Sequence, residues 1–121
     1  MSGNRIDISQ EALLWKAALD HFGQSELYQV VVELWQGAGP AARPTVEYLD
    51  EHDVGPEVIN LLKIAQVEVD GVVPFREDSS NRVTLYSRHA QHLVGGLLEK
   101  MPATKLTQTM RAARLSTQLG M

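Results

Sequence analysis

Two histidines one helical turn apart, in His89-Ala90-Gln91-His92, come nearest in type and spacing to metal chemistry. At i, i+3 on a helix two imidazoles lie close enough to share an ion. A zinc site needs at least a third ligand, and neither His21, His52 nor the many carboxylates stand at a spacing that supplies one. The preferred reading is a pair of solvated histidines on a basic helix face, with a metal-dependent enzyme as a distant alternative. Asp50-Glu51-His52-Asp53 offers hard oxygen ligands of the kind calcium and magnesium favour, but without the register of a calcium loop. It reads as a solvated helix end. The chain has no cysteine, which excludes thiol nucleophiles, thiolate zinc sites and disulfides. It also lacks a nucleophile elbow, a glycine-rich phosphate loop and an HExxH pair. Gly37-Ala38-Gly39 is too short for a phosphate cradle and follows a helix. A protein that is not an enzyme and uses no cofactor or metal is expected.

Charge is the stronger signal. The net charge of −4 divides unevenly: residues 1–78 carry 14 acidic and 5 basic side chains, whereas residues 79–121 carry one acidic side chain, Glu99, and six basic ones. Those six are Arg82, Arg88, Lys100, Lys105, Arg111 and Arg114. Such asymmetry points to contact with nucleic acid, a membrane or an acidic partner, or to mutual neutralisation within the fold or across a dimer. Two features weigh against nucleic acid: the acidic whole repels a polyanion at long range, and Tyr86 is the sole aromatic residue of the basic third. No helix-turn-helix spacing stands out either.

The elements that position these residues follow from periodicity. With 44% hydrophobic and 21% charged residues, 121 residues make one globular domain spanning 1–121. Ser9 predicts the cap of a first helix stopped by Gly23, and Ser25 the start of a second, with Leu27, Val30, Val31, Leu34 and Trp35 on one face and Gly37 at its end. Leu34-Trp35-Gln36-Gly37 places Trp-x-Gly at a helix end, where it resembles the turn of the small secreted helical-hairpin proteins built on that tripeptide. The resemblance covers three residues, and an aromatic core residue followed by a glycine stop is the preferred account. A short helix through Val46 and Leu49 is expected after Pro44, and another from Pro56 with Ile59, Leu62 and Ala65 facing inward.

Val67-Glu68-Val69 then alternates, Asp70-Gly71 suits a type I′ turn, and Val72-Val73 resumes an extended run. A β-hairpin near 66–75 is expected. The strongest helical pattern follows within 79–101, with Val83, Tyr86, Ala90, Leu93, Leu97 and Met101 on one stripe and Arg82, Arg88, His89, His92 and Lys100 on the other side. Pro102 ends this helix. Thr104 caps a last one, with Leu106, Met110 and Ala113 inside and Arg111 and Arg114 outside. Gly95-Gly96 costs about 1 kcal/mol per glycine in mid-helix, which calls for a reason: a kink, or close approach by another helix, including one from a second subunit.

The fold class predicted is mainly α, about four to six helices with one short β-hairpin. The absence of a long apolar run and of a leader predicts a cytoplasmic protein with no membrane contact. The function predicted is a non-catalytic regulatory or adaptor protein working through protein–protein contacts as a homo-oligomer, with an acidic protein surface as partner. A nucleic-acid-binding regulator using the basic third is the alternative. The residues expected to carry the interaction are Arg82, Arg88, His89, His92, Gly95, Gly96, Lys100, Arg111 and Arg114.

Overall fold

The computed structural model describes residues 8–39, 46–71 and 82–118. Within them the chain is mainly α-helical, with six helices and a two-stranded antiparallel sheet: α1 (Ile8–Phe22), α2 (Gln24–Ala38), β1 (Val46–Asp50), α3 (Glu51–Val54), α4 (Pro56–Asp70), β2 (Arg82–Tyr86), α5 (Ser87–Lys100) and α6 (Lys105–Gln118).

Glycine separates α1 from α2. Gly23 has φ +81 and ψ 166, a conformation that is essentially glycine-only, and the helix bonds run up to and away from it, from its N–H to Leu19 O and from Leu27 N–H to its own carbonyl. The second helix passes through Gly37 and ends at Gly39, two residues beyond the expected stop.

The strands are not where the alternating pattern predicts them. Gln66–Asp70 form the last turn of α4, and Gly71 caps that helix with φ +81 and its N–H on Val67 O. The same requirement for positive φ explains the misreading, since a type I′ turn and a left-handed helix cap both favour glycine at this position. Val72 and the rest of the expected second strand lie outside the described residues. The sheet instead pairs β1 with β2, Val46 opposite Tyr86 and Asp50 opposite Arg82, across a connection that contains α3 and α4. Val46 to Leu49, expected as helix, and Val83 to Tyr86, expected as the first turn of the basic helix, are therefore strands. Over five residues an i, i+3 apolar pair cannot be told from strand alternation, and β-branched and aromatic side chains tip the balance. The middle of β2 is covered, with Val83, Thr84 and Leu85 buried and the Gln66 amide donating to Thr84 O at 3.0 Å, while β1 buries Leu49 and leaves Tyr48 exposed.

The core gathers one stripe from each long helix, with Trp15, Leu27, Trp35, Ile59, Leu62, Leu93, Leu97 and Met110 fully enclosed together with Leu49 and Leu85 of the sheet. In α4 the inward faces of Ile59, Leu62 and Ala65 are as expected. Asp50 begins α3, its carboxylate accepting from His52 N–H at 2.9 Å, so the acidic run is a capped helix start. Thr104 opens α6 as expected: its Oγ1 accepts from Thr107 N–H at 3.2 Å while Thr107 Oγ1 accepts from Thr104 N–H at 2.8 Å, a reciprocal capping arrangement. No helix among the described residues is long and apolar enough to cross a membrane.

Candidate interaction surfaces

The two histidines part company. His89 is 3% exposed, in the first turn of α5, where the Trp35 and Tyr86 rings stand 6.1 and 5.9 Å from it. Its Nε2 donates to the Gly39 carbonyl at 2.8 Å, so the ring ties the start of α5 to the end of α2. Nδ1 is buried with no hydrogen-bond partner among the described residues. This overturns the reading of His89 as a solvated member of the basic face. His92 is exposed, and its Nε2 lies 3.7 Å from where a Cβ on Gly37 would stand. Among the described residues no group of three or more histidine and carboxylate side chains is placed to hold a metal ion.

Beside His89 the last residue of α4, Asp70, has its carboxyl raised above the ordinary range by partial desolvation, with the nearby His89 opposing that shift. The side chain as a whole remains exposed.

The basic third does not present one cationic face. Arg88 and Lys100 are exposed on α5, and Lys105 on α6. Arg82, on β2, lies over the Tyr48 ring at 4.7 Å, a cation–π contact across the strand pair. Arg111 and Arg114, expected outside, are half-buried. The Arg111 guanidinium donates to Leu98 O and, at 2.9 Å, to Met101 O, two of the carbonyls that the end of α5 leaves unpaired. Arg114 Nη1 donates to Gln91 O at 3.2 Å. Both arginines fasten α6 onto α5.

The glycine pair receives the chain's own side chains. A Cβ on Gly95 would stand 2.5 Å from Arg114 Nη2, and one on Gly96 would collide with both methyls of Leu34 from α2. Close approach is thus the reason for the pair, and the approach is intramolecular. The helix runs uninterrupted from Ser87 to Lys100.

A surface absent from the expected set lies on the acidic side of the molecule. Gln24, Ser25 and Tyr28 of α2 face Asn60, Leu61 and Ile64 of α4 across an open groove of about 410 Å³. Ile64 is 59% exposed, and Val67, one turn further along the same face, is 47% exposed. Tyr28 OH donates to Glu68 Oε1 at 2.7 Å, bracing the two helices, and that bond is the chief reason the phenol pKa is raised. The spacing Asn60, Ile64, Val67 is a helical face that could have been read from sequence. Assigning Val67 to a strand broke the pattern.

No family model matches the chain, nor does any curated protein or solved structure.

Proposed function

We propose that this is a non-catalytic regulatory or adaptor protein that acts in the cytoplasm through protein–protein contact, as a homo-oligomer. The observation that carries the reading is the exposed apolar face Ile64–Val67 beside the α2/α4 groove. Two large aliphatic side chains exposed one turn apart, next to a concave surface, are the arrangement used where a helix lays its apolar side into a groove. The basic third supports a polyanion partner less well, because Arg111 and Arg114 spend hydrogen bonds on main-chain carbonyls and Arg82 stacks on a tyrosine face.

The test is capture from the native host with the wild type and with Ile64→Asp, both protein and nucleic acid being identified in the eluate. Protein partners lost with Ile64→Asp are the expected result. Recovery of nucleic acid by the wild type, retained in Ile64→Asp and lost in Arg88→Gln/Lys100→Gln, would replace this reading with that of a nucleic-acid-binding regulator.

A further inference from the structure

We infer that the α2/α4 groove is occupied by helix α6 of a second copy of the chain, each copy giving one helix and taking one. This rests on the homo-oligomer part of the reading above and names the surfaces that meet.

Charge identifies the occupant. Helices α2 and α4 carry Glu26, Glu33, Glu57, Glu68 and Asp70 against the single Lys63, whereas α6 has no acidic residue and presents the exposed Lys105, its Arg111 and Arg114 being bonded to carbonyls of α5. The apolar parts match as well. The outer face of α6, turned away from its own α5, reads Lys105, Gln108, Ala112 and Leu115, all exposed, with Leu115 at 55%. The exposed face of α4 that carries the groove residues Asn60 and Ile64 reads Glu57, Asn60, Ile64 and Val67 at the same intervals. Each face begins with a charge, passes through an amide and ends in two apolar residues, and the two charges are opposite. Laid side by side in the same direction, the faces bring Lys105 to Glu57 and Leu115 to Val67, with Ala112 leaving room for Ile64. A two-fold dimer makes this contact twice, because a self-complementary interface uses the same patches on both subunits. The apolar seam supplies most of the affinity, and the charges set partner and direction.

The experiment uses light scattering and sedimentation at micromolar concentration on the wild type, Ile64→Asp, Leu115→Asp, and an equimolar mixture of the two variants. Both positions are exposed, so each variant should still unfold cooperatively, its melting temperature falling below that of the wild type by no more than loss of the dimer accounts for. Val67→Glu serves in place of Ile64→Asp should that protein fail to fold. The wild type should be a dimer, and each variant alone should dissociate with Kd raised about tenfold or more, since a carboxylate would enter the apolar seam. The mixture should regain part of the association, because in a mixed dimer the intact groove of the Leu115→Asp copy and the intact α6 of the Ile64→Asp copy still make one of the two contacts. A monomeric wild type, a variant that dimerises like the wild type, or a mixture no stronger than its components would each overturn the inference. A monomeric wild type that still loses captured partners on Ile64→Asp would leave the adaptor reading standing while removing the second copy as occupant.

Discussion

His89 and His92 share a helix and are separated by one turn, yet His89 is buried against Trp35 and Tyr86 while His92 is exposed. The boundary of the buried stripe falls between them, about 60° of rotation apart, so spacing alone gives no common ligand. What residue types did make legible was burial, in outline. Ala90, Leu93, Leu97 and Met101 are buried as their spacing predicts, as are Leu27, Val31 and Trp35. Which polar residues join them was not legible, because burial of His89 depends on the Gly39 carbonyl, fifty residues away in sequence. The glycine pair shows the same limit: its cost to the helix was readable, but its cause, Leu34 and Arg114, comes from two other elements. The effect expected of Gly96→Leu follows from that contact. A leucine there displaces Leu34 inside the same subunit, so the folded monomer should lose about 1–3 kcal/mol, less up to about 1 kcal/mol regained from helix propensity. Urea unfolding of the variant checks this. Unchanged stability with loss of dimer would instead put Gly96 in the subunit interface.

At the scale of elements, helices came through where the apolar period ran for three turns or more, and strands failed where five residues had to decide. The Asp70-Gly71 pair shows why, for local turn chemistry fixed the positive φ but not which structure would use it. How α6 docks was equally hidden, since Arg111 and Arg114 read as solvated cations until the carbonyls of α5 are placed beside them. Replacing Arg111 with Met keeps much of its aliphatic stem and removes the bonds to Leu98 and Met101. Hydrogen bonds involving a charged group are worth about 1.5–3 kcal/mol, so a loss near that size is expected in thermal unfolding. The exposed Arg88→Met should change stability by less than about 0.5 kcal/mol.

Asp70 gives a pH-dependent counterpart. Its carboxyl is raised by desolvation, and it ends a helix whose C-terminal dipole disfavours a negative charge. A folded pKa above the unfolded one means that protonation favours folding, so the contribution is full at acid pH and is lost as pH rises through the folded value. Asp70→Asn should therefore stabilise the protein near neutrality, by about 0.3–1 kcal/mol from relief of the dipole term, and the gain should shrink as pH falls through the carboxylate range. Melting temperatures of both proteins from pH 3 to 7 measure it (a span set by ordinary carboxylate titration). A gain that grows on acidification would contradict the assignment.

For the whole molecule, the division into an acidic body and a basic end is plain from the sequence, but its use is a matter of geometry. A chain of net charge −4 repels a polyanion at long range, and a basic third can overcome that only by presenting its cations together. Here Arg82 stacks on Tyr48, Arg111 and Arg114 clamp α6, and the exposed pair Arg88 and Lys100 stand twelve residues apart on α5, about 18 Å along its axis. A duplex would meet a few separated phosphate contacts rather than a continuous track. Retention on duplex DNA at physiological salt should accordingly be negligible, and Arg82, Arg88 and Lys100 replaced together should leave that baseline where it was. Fluorescence anisotropy with a labelled duplex, titrated with protein at several salt concentrations, measures this. If the wild type bound tightly, its affinity would fall by about 0.9 logarithmic units per logarithmic unit of salt for each phosphate neutralised. A slope of several units, abolished by the triple substitution, would show that these separated cations do act together on DNA. Without it, the proposed role of the basic end is contact with the acidic helices of another protein surface, where apolar contacts such as the proposed Leu115 against Val67 would add what charge alone does not hold.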